Sequence, residues 1–115
     1  MNFFSSFFGE PVPTLSVLEL HEKMKNGIRP FLLDVRQPEE FHLGHIAGAK
    51  LIPLGELDRR IKEVPQDREI VCICASGHRS VPAVQILKAA GFTASSLQKG
   101  MIAWQMAKLP IHKGI

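Results

Sequence analysis

Between residues 69 and 91 the sequence reads as a strand, a small polar loop and a helix that follow one another without a break, with a thiol at the first junction. Glu69-Ile70-Val71-Cys72-Ile73-Cys74 is a short apolar, β-branched run of the kind that forms a buried strand. Residues 81–91 are Ala-rich and read as a helix closed at Gly91. Between them lie Ala75, Ser76, Gly77, His78, Arg79 and Ser80. Cys74 thus stands where a strand ends, beneath loop N–H groups and the positive end of a helix dipole. That is a place to hold sulfur as an anion.

The rest of the chain keeps the alternation of strand and helix. Ser16 and Glu19 have the spacing of a capping box, predicting a helix to about Lys25 that Asn26-Gly27 ends. Residues 31–35 read as an apolar strand flanked by Asp34 and Arg36, and Pro38 opens a short helix with Glu39 and Glu40 in its first turn. The Gly-punctuated segment 44–49 leads to a strand over 50–52. Leu54, Leu57, Ile61 and Val64 recur at helical spacing and predict an amphipathic surface helix. Residues 92–97 read as another strand, and 101–107 as a final helix with Trp104 on its apolar side. The pattern is that of an α/β fold, a central parallel sheet of about five strands with helices on both faces. One domain over residues 14–115 is expected, preceded by an apolar arm and Pro-containing connector over 1–13. Ligands in such sheets bind outside the carboxyl ends of the strands, where Asp34 and Cys74 both fall.

Composition removes several function classes. The 115 residues suffice for a core without disulfides or metal. The formal charge is +3, but bases are interspersed with acids and Tyr is absent, so no nucleic-acid surface is expected. Cys72 and Cys74 are the only cysteines. On one strand face their Cα atoms lie roughly 6.5–7 Å apart, at the edge of disulfide geometry. No Cys/His set has zinc spacing, so no metal and an intracellular, cytoplasmic setting are expected. No run approaches the ~18 apolar residues of a membrane span, and membrane contact is not expected. The first nine residues lack the basic region of a signal peptide. Phe3, Phe4, Phe7 and Phe8 would share one helix face, either folded over the core or exposed for self-association.

A free thiol with a pKa near 8.5 is only about 3% thiolate at pH 7. Making the thiolate the major form takes about 2.7 kcal/mol of differential stabilisation. A helix terminus supplies roughly 0.3–1 kcal/mol and each hydrogen bond to a charged group about 1.5–3 kcal/mol. The loop can therefore ionise Cys74 without an adjacent base. Gly77 frees the backbone, Ala75 and Ser76 leave room above the sulfur, and His78 and Arg79 are candidates to bind an anionic substrate. Cys72, one strand pair back, reads as core.

Cys74-Ala75-Ser76-Gly77-His78-Arg79-Ser80 resembles the C-x-x-G-x-R-S active-site loop of single-domain rhodaneses, the sulfurtransferase family. Leu33-Asp34-Val35-Arg36 with Pro38-Glu39-Glu40-Phe41, the segment 44–49, and Leu97-Gln98-Lys99-Gly100 through Trp104 resemble its other signatures, in order. One departure is Lys99, where the family's first C-terminal glycine usually stands, which puts that turn's geometry in question. The resemblance implies a sulfur shuttle without metal or organic cofactor. A thiosulfate, polysulfide or persulfide donor loads Cys74, and a thiol, cyanide or protein acceptor unloads it. It also implies a substrate-binding loop of Ala75, Ser76, Gly77, His78, Arg79 and Ser80. Asp34 and Arg36 are expected to pair behind the rim, and Glu40 and His45 to satisfy each other or nearby backbone. Phosphatase or arsenate-reductase chemistry on this fold uses C-x5-R, whereas four residues separate Cys74 from Arg79 here. The alternative is a non-catalytic binding or sulfur-carrier module of the same fold; the binding module commonly lacks the cysteine that this chain retains, and a role as sulfur carrier to a protein acceptor stays open.

Overall fold

The computed structural model describes residues 11–114. In chain order the elements are β1 (Thr14–Leu15), α1 (Val17–Lys25), β2 (Phe31–Asp34), α2 (Pro38–Leu43), β3 (Lys50–Leu51), β4 (Ile70–Ile73), α3 (Ser80–Ala89), β5 (Ala94–Leu97) and α4 (Gly100–Met106). The strands form one five-stranded sheet in the order β1-β5-β4-β2-β3, and every pairing is parallel. Helices flank the sheet, giving the α/β architecture that the alternation of strand and helix predicts.

The central strand explains why the chain needs both layers. Side chains alternate across a strand, so Ile70 and Cys72 enter one core with Leu33, Val35, Leu57, Val64, Ala83, Val84 and Leu87. Val71 and Ile73 enter the other, with Leu20, Leu32, Ile46, Leu97, Met101 and Trp104. A strand covered on both faces reads as a continuous apolar run, and β4 is buried at all four positions. The register sets Asp34 beside Ile73 and Cys72 beside Ser96. The residues following β2 and β4 therefore emerge at the same edge of the sheet.

Local signals hold the helices in place. The Ser16 Oγ accepts the Glu19 N–H at 3.1 Å, and Glu19 accepts the Ser16 N–H at 2.7 Å. Pro38 is the first residue of α2, where its missing N–H costs nothing, and Glu40 accepts the Gln37 N–H at 2.9 Å. Trp104 is buried, with its indole N–H donated to the Pro110 carbonyl at 2.8 Å.

Three readings of the sequence are corrected. The amphipathic stretch 54–64 is two 3-10 turns, Leu54–Glu56 and Ile61–Glu63. Leu54, Leu57, Ile61 and Val64 still face the core, because their spacing suits a tightened coil as well as an α-helix. Arg60 breaks the run between them and pairs with Glu56 at 2.9 Å and Glu63 at 2.8 Å. The last strand is Ala94–Leu97 rather than 92–97, and the fifth strand is the two-residue β1, too short to carry a periodicity. The expectation of self-association through Phe3, Phe4, Phe7 and Phe8 is withdrawn. Those residues lie outside the described ones, and the described residues present no exposed aromatic cluster to receive them. Phe41, Phe92 and Trp104 are buried, and the large hydrophobic side chains exposed among the described residues are Leu, Ile and Met. Among the described residues no helix is long and apolar enough to cross a membrane.

Candidate functional site

The site begins at the carboxyl end of β4. Cys74 is buried, and its sulfur receives the Gly77 N–H at 3.1 Å and the Ser80 N–H at 3.3 Å. Gly77 reaches that position with φ +94°, a conformation that favours glycine. Ser80 is the first residue of α3, so its N–H has no partner within the helix and is free to point at the sulfur. The Cys74 thiol also meets the Ser80 hydroxyl at 3.5 Å. Burial pushes the Cys74 thiol up. The Ser80 hydroxyl and the N–H groups of Ser80, Gly77 and Ser76 outweigh it, so the net shift is downward. Cys72 is the contrast: burial first, then the neighbouring Cys74, push it up to about 12. The two cysteines are thus shifted in opposite directions, Cys74 by the donors around its sulfur and Cys72 by burial.

Behind the loop, Ser80 Oγ lies 2.6 Å from Ser96 Oγ on β5, and both residues are buried. Ser96 is absent from any sequence-level site, although two serines in a strand of a parallel sheet were the available signal. The loop is also clamped from α4, whose Met101 N–H donates to the Cys74 carbonyl at 2.8 Å and Ile102 N–H to the Ala75 carbonyl at 2.9 Å. Gly100 makes that approach possible, since a Cβ there would stand 2.0 Å from the Cys74 carbonyl oxygen. Lys99 before it adopts a left-handed conformation, φ 56°, so the turn keeps the shape that glycine would give.

The charged residues sort into two pairs. Asp34 and Arg36 are buried and joined at 2.8 Å, with the Arg36 guanidinium also donating to the Gly44 carbonyl at 2.8 Å. Arg79 donates from both terminal nitrogens to the two Glu40 oxygens, each at 2.7 Å. This bidentate bridge ties the loop to α2 and holds the Glu40 carboxyl down at about 2. Of the two kinds of partner expected for Glu40 and His45, each other or nearby backbone, both residues take backbone: Glu40 accepts the Gln37 N–H at 2.9 Å. His45 is buried, hydrogen-bonded through Nδ1 to the Phe41 carbonyl at 2.8 Å and stacked on Phe41. His78 is exposed on the loop and meets Ser76 Oγ at 2.8 Å. Among the described residues no group of three or more His, Cys, Asp or Glu could hold a metal ion.

Comparison with known proteins places this arrangement in a family. The sequence profile of the Rhodanese-like domain matches residues 16–107. The chain belongs to the rhodanese-like family. It is 37% identical over 108 residues to an HTH-type transcriptional regulator of Mycobacterium tuberculosis, covering 92% of this chain but 47% of that protein. A sulfurtransferase of Allochromatium vinosum is 38% identical over 81 residues, covering 70% of this chain and 76% of that one. The crystal structure of a rhodanese-related protein from Thermoplasma volcanium matches with a TM-score of 0.81 and 31% identity, over 87% of this chain and 97% of that chain. This rhodanese-like chain spans about half the length or less of the first curated relatives it matches.

Proposed function

We propose that this rhodanese-like domain is a sulfurtransferase in which Cys74 carries one sulfane sulfur as a persulfide. The observation that supports it most is the convergence of the Gly77 N–H, the Ser80 N–H and the Ser80 hydroxyl on a buried Cys74 sulfur. The similarity to a sulfurtransferase adds to it. Loop donors fixed in place stabilise negative charge on sulfur both before and after it accepts a second atom, with no reorganisation at the moment of reaction.

In the first half-reaction the Cys74 thiolate attacks the outer sulfur of the donor. A Cys74–S bond forms, the donor's own S–S bond breaks, and its electron pair leaves with sulfite from thiosulfate or with a thiolate from a persulfide. In the second, a thiol, cyanide or protein acceptor attacks the terminal sulfur and returns Cys74 as thiolate. One difficult transfer becomes two displacements at a single nucleophile. Ala75, Ser76 and Gly77 line the approach to the sulfur, and the Asp34–Arg36 pair steadies the rim.

Exposure to thiosulfate or to an alkyl hydropersulfide is expected to raise the intact mass by one sulfur atom, removable by cyanide. Cys74→Ser is expected to show no gain. A wild-type mass unchanged by both donors would defeat the reading.

A further inference from the structure

The loop from Cys74 to Ser80 has one permanent positive charge of its own, Arg79, and that charge is already taken. Both terminal nitrogens of its guanidinium face Glu40 oxygens at 2.7 Å, the fork-to-fork arrangement with which arginine otherwise grips an oxyanion. Glu40 is not a chance partner. It is the third residue of α2, and its Oε1 also accepts the Gln37 N–H at 2.9 Å. The other arginine of this rim, Arg36, is equally committed, to Asp34 and to the carbonyls of Glu40 and Gly44. Of the remaining charged groups near the loop, His78 is exposed and bonded to Ser76, and Lys99 is exposed on the flanking turn, where solvent weakens its field. With Cys74 ionised, the rim formed by Asp34, Arg36, Glu40, Cys74 and Arg79 carries a net negative charge.

Resting on the sulfurtransferase reading, we propose that Glu40 is a specificity-determining residue. By occupying the Arg79 fork it disfavours dianionic thiosulfate and directs Cys74 to donors that bring no sulfonate and at most one negative charge, the alkyl hydropersulfides, which react through their protonated form. The step balances: Cys74–S⁻ with R–S–SH gives Cys74–S–SH and R–S⁻, so the donor's S–S bond breaks as the new one forms and the proton stays on the terminal sulfur. Thiosulfate instead brings two negative charges to a thiolate with no guanidinium left to receive its sulfonate. The Arg79 guanidinium holds the Glu40 carboxyl near 2, so Glu40 keeps this role throughout the neutral range.

The test compares kcat/KM for thiosulfate and for the hydropersulfide of 2-mercaptoethanol, an otherwise neutral donor, with cyanide as acceptor. Wild type is expected to favour the hydropersulfide. Glu40→Gln keeps the shape but removes the charge, and is expected to shift the donor ratio toward thiosulfate by about tenfold, chiefly through KM and more at low salt. Adding Arg79→Met to that variant is expected to abolish the shift. Glu40→Ala, which also empties the Arg79 fork, is expected to move the ratio in the same direction, a measurement that stands even where Glu40→Gln fails to fold. Wild type favouring thiosulfate would overturn the assignment, as would a donor ratio unmoved by Glu40→Gln and Glu40→Ala. Failure of the sulfurtransferase reading itself looks different, since neither donor then adds sulfur to Cys74.

Discussion

At the scale of single residues, what distinguishes Cys74 from Cys72 is two positions along one strand. Both side chains lie in the same core, yet one sulfur meets N–H donors at the end of the sheet and the other is buried within β4. Alkylation by iodoacetamide at neutral pH is therefore expected at Cys74 alone, mapped by peptide mass spectrometry. Carbamidomethylation of Cys72 in the folded protein would contradict the assignment. The serine pair behind the sulfur gives a finer expectation. When Cys74 is ionised, the Ser80 hydroxyl donates to the sulfur and accepts from the Ser96 hydroxyl 2.6 Å away, so Ser96 fixes which way Ser80 points. Ser96 is a positioning residue on this reading. Ser96→Ala removes one hydrogen bond from the chain, worth about 1 kcal/mol, and is expected to slow alkylation about fivefold at neutral pH. The sign follows from the downward shift of the thiol: losing a group that favours the thiolate moves the rate profile to higher pH, while the rate at high pH is retained. Arg79 sits on the same rim, so the profile is best read beside that of Arg79→Met. An unmoved profile would leave Ser96 as packing.

At the scale of elements, the sequence was most legible where one residue type has one local use. Ser16 with Glu19, Pro38 opening a helix, and Gly77 at positive φ each did what its chemistry requires. The family's motifs also pointed to the strand ends that carry Cys74 and Asp34. Illegible were features set by contacts distant in sequence. The Glu40–Arg79 bridge joins residues 39 apart, and the Ser80–Ser96 bond joins residues 16 apart. The turn into α4 combines both kinds of signal. Lys99 pays for a left-handed backbone that glycine adopts freely, while Gly100 is required by contact with the Cys74 carbonyl. Lys99→Gly is expected to stabilise the fold by about 0.5–1 kcal/mol, the left-handed penalty less the extra freedom of glycine in the unfolded chain. Gly100→Ala is expected to destabilise by about 3 kcal/mol or more, since backbone rather than a yielding side chain stands in the way. Gly55→Ala, which meets open space at an unstrained φ, is expected to stay within about 0.5 kcal/mol. Urea unfolding of the three variants gives the comparison, and Gly100→Ala as stable as Gly55→Ala would refute the clamp.

At the scale of the whole molecule, the two cores share the sheet between them, and β4 contributes alternate side chains to each. Neither core can lose its packing without exposing one face of the strand that presents Cys74. Leu87 fills the core on the side of α3, and Leu20 and Trp104 fill the other, all of them buried. Leu20→Ala and Leu87→Ala are each expected to cost about 2–5 kcal/mol, the usual range for emptying a fully buried leucine site. The more informative expectation concerns coupling. Trp104, the only tryptophan, reports on one core by fluorescence, whereas far-UV circular dichroism reports on all the helices. Because β4 links the layers, Leu87→Ala is expected to lower the urea midpoint seen by Trp104 as much as the midpoint seen by circular dichroism, although Leu87 belongs to the opposite core. Separate midpoints by the two probes would mean that the faces of the sheet unfold independently, and that the geometry holding the Cys74 sulfur can be lost while half of the molecule stays folded.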